Sequence, residues 1–337
     1  MNQWIKKIFL TGFVAFLFLW PIFSQNPYYL HTAIMVCIMV MMALGLNLLF
    51  GYTGQISLAH ASYFAIGAYT STLLEVNTGL SFWLSTPMGI LMAALIGIIV
   101  GIPTLRLRDH YLALATLSFC MVTQLFLVNT KDLTGGSEGV MGIRNPTFFG
   151  YVLKGTPYYF LVLILTLLIF IVIRNLVNSR VGLALETIRE NEEAAASLGV
   201  NILYYKVMVF ALAAGFAALA GSLYAHQALF ISPETFGIML SIEVLIIVVV
   251  GGLATNEGAV IGAVVMTLLP EFLYKFEEHR LLVYGVIMLI IVIFAPKGIV
   301  GLFISLKDAV QGRFRFLGPT AKNRAEKTIF DPEVGER

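Results

Sequence analysis

The chain has 337 residues, 59% of them hydrophobic and 12% charged, with a formal net charge of +2 and a mean hydropathy of +0.89. Soluble domains carry about 25% charged residues, so this chain has too little charge to cover a water-facing surface, and the class that fits is a polytopic membrane protein. No nucleic-acid partner is expected, and Cys37 and Cys120, each inside an apolar run, form neither a disulfide framework nor a metal spacing.

A helix needs about 20 mostly apolar residues to cross the hydrocarbon core. Ten stretches qualify in chain order: 8–24, 28–50, 57–76, 83–103, 111–129, 157–176, 203–226, 238–253, 257–275 and 281–304. The third begins in polar residues and the eighth is short. The first has a basic start, like a secretory signal, but WPIFSQNP (20–27) follows it without a small-x-small cleavage site, so a membrane helix is expected there. The fold class is therefore an all-α polytopic membrane protein of about ten transmembrane helices. With the N-terminus cytoplasmic, an even count places the C-terminus there as well. Of the 21 Lys and Arg, only Lys131, Arg144, Lys154, Lys275 and Arg280 then fall outside, the bias expected of cytoplasmic loops.

Polar residues inside spans are costly and usually face a bundle interior or a water path. They are densest in GLNLLFGYTGQISLAH (45–60), where Asn47, Gln55, Ser57 and His60 surround Gly51 and Gly54. Two readings stand: a broken helix lining a solute path, since irregular backbone at membrane depth must be buried in protein or line a cavity, or a turn between spans packed through small residues. The outer loop 130–156, rich in Gly, Thr and Asn, is either a binding surface or a connector.

The most polar stretch before the tail is VGLALETIRENEEAAASLG (181–199). Asn178 or Ser179 can cap a helix start, Leu183, Ile188, Ala195 and Leu198 recur at helical spacing, and Gly199 suits a left-handed C-terminal cap. One short amphipathic helix over about 182–199 is expected, on the cytoplasmic side. Its small residues (Ala194, Ala195, Ala196, Gly199) admit another backbone, and Glu186, Arg189, Glu190, Glu192 and Glu193 can orient a soluble partner. A lipid-surface helix would favour Lys, Arg and bulky apolar residues instead; a solvated loop helix with no partner is the other reading of these residues.

Further on, Glu243 lies in MLSIEVLIIVVVGGL (239–253), where a deep carboxylate costs about 2.5–3.5 kcal/mol by insertion scales. It can pair with a cation of a neighbouring chain, tune a pathway or reach the surface. Gly251 and Gly252 suit close helix packing. His31, His110, His226 and His279 have no metal spacing and read as capping or interface residues. Ser57 with His60 lacks a neighbouring carboxylate and a G-x-S-x-G elbow, so no catalytic residues are assigned. Residues 305–337 form a polar tail expected to be flexible.

EEAAASLG followed by a membrane span resembles the cytoplasmic loop of ABC-importer permeases. The stretches LGLNLLFGYTGQISLAHASYFAIGAY (44–69), LRLRDHYLALATL (105–117), RVGLALETIRENEEAAASLGV (180–200), ISPETF (231–236), GGLATNEGAVIGA (251–263) and FAPKGIVG (294–301) together resemble the branched-chain amino acid permease family of LivM type. The resemblance covers about residues 30–303. It implies a type II importer permease domain (1–304) whose coupling helix is the 182–199 segment. The implied partners are a second permease of LivH type, two ABC ATPases and an extracytoplasmic binding protein, in a bacterial inner membrane. The sequence has no GxxxxGK[ST] phosphate loop, so ATP and magnesium are expected only in the partner ATPases and no cofactor or metal in this chain. A permease for urea, amides or another small polar solute is the nearest alternative. A stand-alone secondary transporter would need paired intramembrane acids or two symmetric halves.

Overall fold

The computed structural model describes residues 26–107 and 109–272, with Gly285, Leu289, Gly298, Ile299 and Gly301 beyond them. The expected span 8–24 and the tail 305–337 lie outside the described residues, and the span 281–304 almost wholly so. Between them the chain is helical: α1 (Pro27–Leu46, continued by a π-turn Asn47–Gly51), α2 (His60–Thr78), α3 (Phe82–Thr104), α4 (Asp109–Asn129), the single turn α5 (Lys131–Thr134), α6 (Thr156–Val177), α7 (Arg180–Glu190), α8 (Glu192–Ser197), α9 (Ile202–Ala228), α10 (Ile238–Gly251) and α11 (Asn256–Phe272).

Five of these are long and apolar enough to cross a membrane: Pro27–Gly51, Phe82–Thr104, His110–Asn129, Thr156–Val177 and Ile202–Ala228. Helices also stand at the expected spans 57–76, 238–253 and 257–275, with differences. The third span starts its helix only at His60, because Gly54–Ala59 is not helical. The 14-residue α10 rises about 21 Å, short of the roughly 30 Å hydrocarbon core. A 3₁₀ turn, Pro233–Phe236, with Phe236 buried, precedes it, so α10 begins inside the bundle.

Helices α1 and α9 form the centre. Ile34, Ile38, Met41, Met42 and Leu44 of α1 are fully buried, while α3, α4 and α6 keep apolar outer faces. Close approach of α2, α3 and α9 depends on small residues, as is usual where lipid supplies no hydrophobic drive between helices. A Cβ on Gly67 would overlap the Ala218 backbone, and one on Gly97 would press on Ala214. Thr86 and Ser222 add a buried hydroxyl pair at 2.7 Å between α3 and α9.

The bundle has two unlike ends. At one, α1 begins (Asn26 Oδ1 capping Tyr28 N–H, 3.0 Å), Tyr28 bonds Glu271 at the end of α11, and Gln227 meets His31 at 3.0 Å. Here too His226 of α9, with 0% side-chain exposure, sits 2.9 Å from Glu75 of α2, and Ser85 of α3 donates to Glu75 at 2.6 Å. The loop 130–156 covers this end and is ordered: a turn at Gly136–Glu138, a bridge from Val140 to Ile231, and an antiparallel hairpin of β1 (Thr147–Phe148) and β2 (Tyr151–Val152). The opposite end carries α7 and α8, the end of α1 and the turn between α10 and α11.

Candidate functional site

The polar segment between α6 and α9 is two helices, not the single helix expected. Ser179 caps α7, accepting from Val181 N–H at 3.1 Å. Asn191 then leaves the helical region (φ −161°, ψ 112°), ends α7, and caps α8 by accepting from Glu193 N–H at 2.9 Å and Ala194 N–H at 3.1 Å. An Asn that satisfies two orphan amides favours a fresh start over a continuous turn. At the far end Gly199 takes φ +79°. Val200 N–H reaches Ala195 O (3.1 Å) and Gly199 N–H reaches Ala196 O (2.9 Å), the Schellman pattern that a glycine permits.

Ile188 and Ala195 are buried with Ala184 and Leu185, but Leu183 (67% exposed) and Leu198 (75% exposed) point away from the bundle. The two leucines therefore share an outer surface with Glu186, Arg189, Glu190, Glu192, Glu193, Ala194 and Gly199, all exposed. A Cβ on Gly199 would meet nothing within 4 Å. The pair is held from behind: Glu192 bonds Lys206 of α9 at 2.6 Å, and that ammonium is only 10% exposed. A Cβ on Gly182 would overlap the Val177 carbonyl, so α7 starts close against the end of α6.

Next to α7 lies the break between α1 and α2. The side chain of Arg189 rests on Gly54, which stands at φ +75°; a Cβ there would be 3.5 Å from Arg189 Cγ. Tyr52 donates to Asn256 Oδ1 at 3.2 Å. Burial first, then the Glu257 and Glu186 carboxylates, push the Tyr52 phenol up to about 12. α7, the break and the start of α11 thus meet in one place.

Of the polar residues expected at the break, Asn47 is hydrogen-bonded at both ends of its amide. The amide nitrogen donates to Thr255 O (3.1 Å) and the carbonyl accepts from Ala254 N–H (3.0 Å). It fastens α1 to the α10–α11 turn. Gly51 makes that approach possible, since a Cβ would overlap Asn47 Oδ1. Ser57 is buried and accepts from Ala59 N–H at 3.3 Å. Gln55 and His60 are buried too, and among the described residues neither amide atom of Gln55 nor either ring nitrogen of His60 finds a partner. Buried polar groups are seldom left so. Glu243 is partly exposed on α10 and has no ion-pair partner among the described residues. Gly251 packs so tightly that a Cβ would overlap Gly258 O, and Gly252 takes φ +120°.

Two features escaped the sequence reading. Helix α2 begins at Ala59 without a side-chain cap of its own. Its amides are met from other helices, Leu58 N–H by Thr116 Oγ1 of α4 and Ala61 N–H by Ser241 Oγ of α10, each at 3.0 Å. Neither hydroxyl is marked in sequence by spacing. The second is the Glu75–His226 pair, whose members lie 151 residues apart. Among the described residues no three His, Cys, Asp or Glu side chains gather as metal donors.

Comparison with known proteins identifies the family. Residues 28–292 match the family model described as branched-chain amino acid transport system / permease component. The chain is similar to the high-affinity branched-chain amino acid transport system permease protein LivM of Escherichia coli K12, at 34% identity over 318 residues, 87% of this chain and 75% of that protein. The LivM of Salmonella typhimurium matches to the same extent. LivH of Escherichia coli K12 is 26% identical over 286 residues, 77% of this chain and 90% of that protein. No solved structure matches the chain. The chain belongs to the branched-chain amino acid transport system permease family, and within it to the LivM type.

Proposed function

We propose that this chain is one of two permease subunits of an ATP-driven importer that moves leucine, isoleucine and valine across a bacterial inner membrane, with α7 and α8 on the cytoplasmic side. The second subunit would be of LivH type, since both LivM and LivH proteins resemble this chain. ATP and magnesium would be bound by two ATPase subunits, and an extracytoplasmic protein would deliver the amino acid. In this reading α7 and α8 are the coupling element. ATP-driven closure of the ATPases moves α7 and α8, and Arg189 transmits the motion to the α1–α2 break. The pair of permeases then alternates between outward- and inward-open. Gln55, Ser57 and His60 are the proposed path residues on this side, and Glu243 meets the neighbouring permease. Asn47, Gly51, Gly54, Gly251 and Gly252 serve the framework.

The observation that carries the reading is the outer face of α7–α8: two exposed leucines and the exposed small residues Ala194, Ala196 and Gly199 among five charges, on helices capped at each end and fastened from behind. The test is Ala194→Trp and, separately, Glu193→Lys, neither of which touches the bundle. Membranes should still contain the permease, the ATPases should no longer co-purify with it, and labelled leucine uptake should fall at least tenfold. Variants that keep their ATPases and normal uptake would refute the docking role. Uptake of urea or amides in place of leucine by the intact complex would refute the substrate.

A further inference from the structure

The hairpin Thr147–Val152 at the end opposite α7 and α8 is built in a way that transport does not require. Its turn residues, Phe149 and Gly150, have φ of +47° and +85°. Two-residue turns with both φ positive favour Asn-Gly, and a bulky residue in the left-handed region is disfavoured. Phe149 nevertheless stands there, 90% exposed, its ring edge to face with that of Phe148 at 4.7 Å. Tyr151 beside it is 79% exposed and Val152 57%. The fold thus holds an aromatic tip away from itself.

The hairpin is fixed in place. Trp83 Nε1 donates to Thr147 O at 2.8 Å, and the Trp83 and Phe148 rings meet edge to face at 5.4 Å. Leu153 N–H closes the base on Pro146 O at 2.7 Å. Trp83 lies in the first turn of α3, and below it Leu84, Met88, Leu91, Leu95 and Ile99 form the exposed stripe by which that helix meets hydrocarbon. Trp and Tyr gather at such a boundary, where an apolar ring and a polar edge are both accommodated. Arg144 and Lys154, both exposed, flank the hairpin base, and no acidic residue occurs between Glu138 and Glu186. This charge pattern complements phosphate.

We propose that this hairpin is a lipid anchor: Phe149, Tyr151 and Phe148, continuing the lipid-facing stripe of α3 through Trp83, sit in the headgroup layer, with Arg144 and Lys154 on lipid phosphates. The inference does not depend on the transported solute or on the coupling role of α7 and α8.

The test places a nitroxide at Phe149→Cys or Tyr151→Cys in the full chain, with Cys37→Ala and Cys120→Ala, reconstituted in vesicles of phosphatidylglycerol and phosphatidylethanolamine. Relaxation by oxygen should exceed relaxation by a water-soluble nickel chelate, as at Leu91→Cys, while Glu193→Cys shows the reverse. Arg144→Gln with Lys154→Gln should lower the oxygen-to-nickel ratio in these anionic vesicles and leave it unchanged in phosphatidylcholine. Should the cysteine variants misfold, Trp83 in a Trp4→Phe, Trp20→Phe chain gives an independent reading, since brominated lipid should quench it strongly and aqueous iodide weakly. A nitroxide at 149 as open to nickel as one at 193 overturns the proposal. So does protection that appears only when a soluble binding protein is added, which would make the hairpin a protein-docking surface.

Discussion

Replacing Asn47 by Ala separates a framework role from a solute contact. The side chain is 0% exposed, and its two hydrogen bonds, to Thr255 O and from Ala254 N–H, are the direct polar link between α1 and the α10–α11 turn. Hydrogen bonds between membrane helices average only about 0.6 kcal/mol in deletion measurements, because the deleted partners find others. That relief is limited here. Ala254 and Thr255 belong to a non-helical turn, Ala254 at φ +58°, and Gly51 presses on the same spot. Ala254 and Thr255 are half-buried, so leaving this donor and this acceptor unpaired falls toward the low end of about 1–3 kcal/mol each, and a loss of about 2–4 kcal/mol is expected. With about 2–4 °C per kcal/mol for domains of 150–250 residues, the unfolding midpoint should drop on the order of 10 °C. The buried thiols of Cys37 and Cys120 provide the assay, as a maleimide dye reacts with them only on unfolding. Asn47→Asp keeps the acceptor for Ala254, loses the donor to Thr255 and adds a buried carboxylate, so it should be no better than Ala. In the assembled transporter, the KM for leucine of the surviving Ala variant should stay within about twofold. An unchanged midpoint with a tenfold higher KM would refute the reasoning and make Asn47 a solute contact.

Two further perturbations test the local arguments. Asn191→Ala removes the cap of α8 and should cost that helix about 1 kcal/mol, read as about fivefold faster hydrogen exchange at Glu193 and Ala194, while Asn191→Asp should exchange like the parent. At the other end, the 2.6 Å contact from His226 Nδ1 to Ser222 O requires a hydrogen on Nδ1, so Nε2 and Glu75 share a single further proton. Glu75→Gln can donate its amide to a neutral Nε2 and should unfold within a few degrees of the parent. Glu75→Leu leaves the buried Nε2 of His226 without its partner and the Ser85 hydroxyl with only the longer contact to Phe82 O at 3.3 Å, and should lower the thiol-dye midpoint clearly further.

The helices were legible because the apolar runs are long and the caps are local. Ser179 and Gly199 announce themselves within four residues of the groups they satisfy, whereas the cap at Asn26 was found only in the structure. The interruption at Asn191 was not legible, because a charged, alanine-rich run supports one helix or two equally well, and only the two bonds to Asn191 Oδ1 decide. Leu183 and Leu198 were expected on the buried face yet face outward: Leu183 stands about 140° around α7 from the buried Ile188, and Leu198 lies past the last residue of α8. At the membrane-depth break, sequence marked the right neighbourhood but could not divide it. Asn47 and Gln55 are both buried amides, and only partners more than 200 residues away distinguish the bonded one from the free one. Thr116, Ser241 and the Glu75–His226 pair act across helices, where periodicity carries no signal.

The distribution of these bonds says where motion at α7–α8 can go, if they are the coupling element proposed above. α1 is pinned at Asn47, and the start of α2 is pinned by Thr116 and Ser241. α7 is close-packed on α6 at Gly182, and α8 is tied to α9 through Glu192 and Lys206. Between the pins lie Gly54 to Ser57, held by Gly54 N–H on Phe50 O at 3.1 Å and a weaker contact of Gln55 N–H on Leu49 O at 3.3 Å. Arg189 approaches this stretch at Gly54. A displacement of α7 therefore reaches Gly54 and Gln55 before it can move α1 or α2 as bodies. A segment that gives way between fixed points is where a hinge belongs. The Gln55 amide, buried without a partner among the described residues, can acquire one in another state at no loss of the side-chain bonds described.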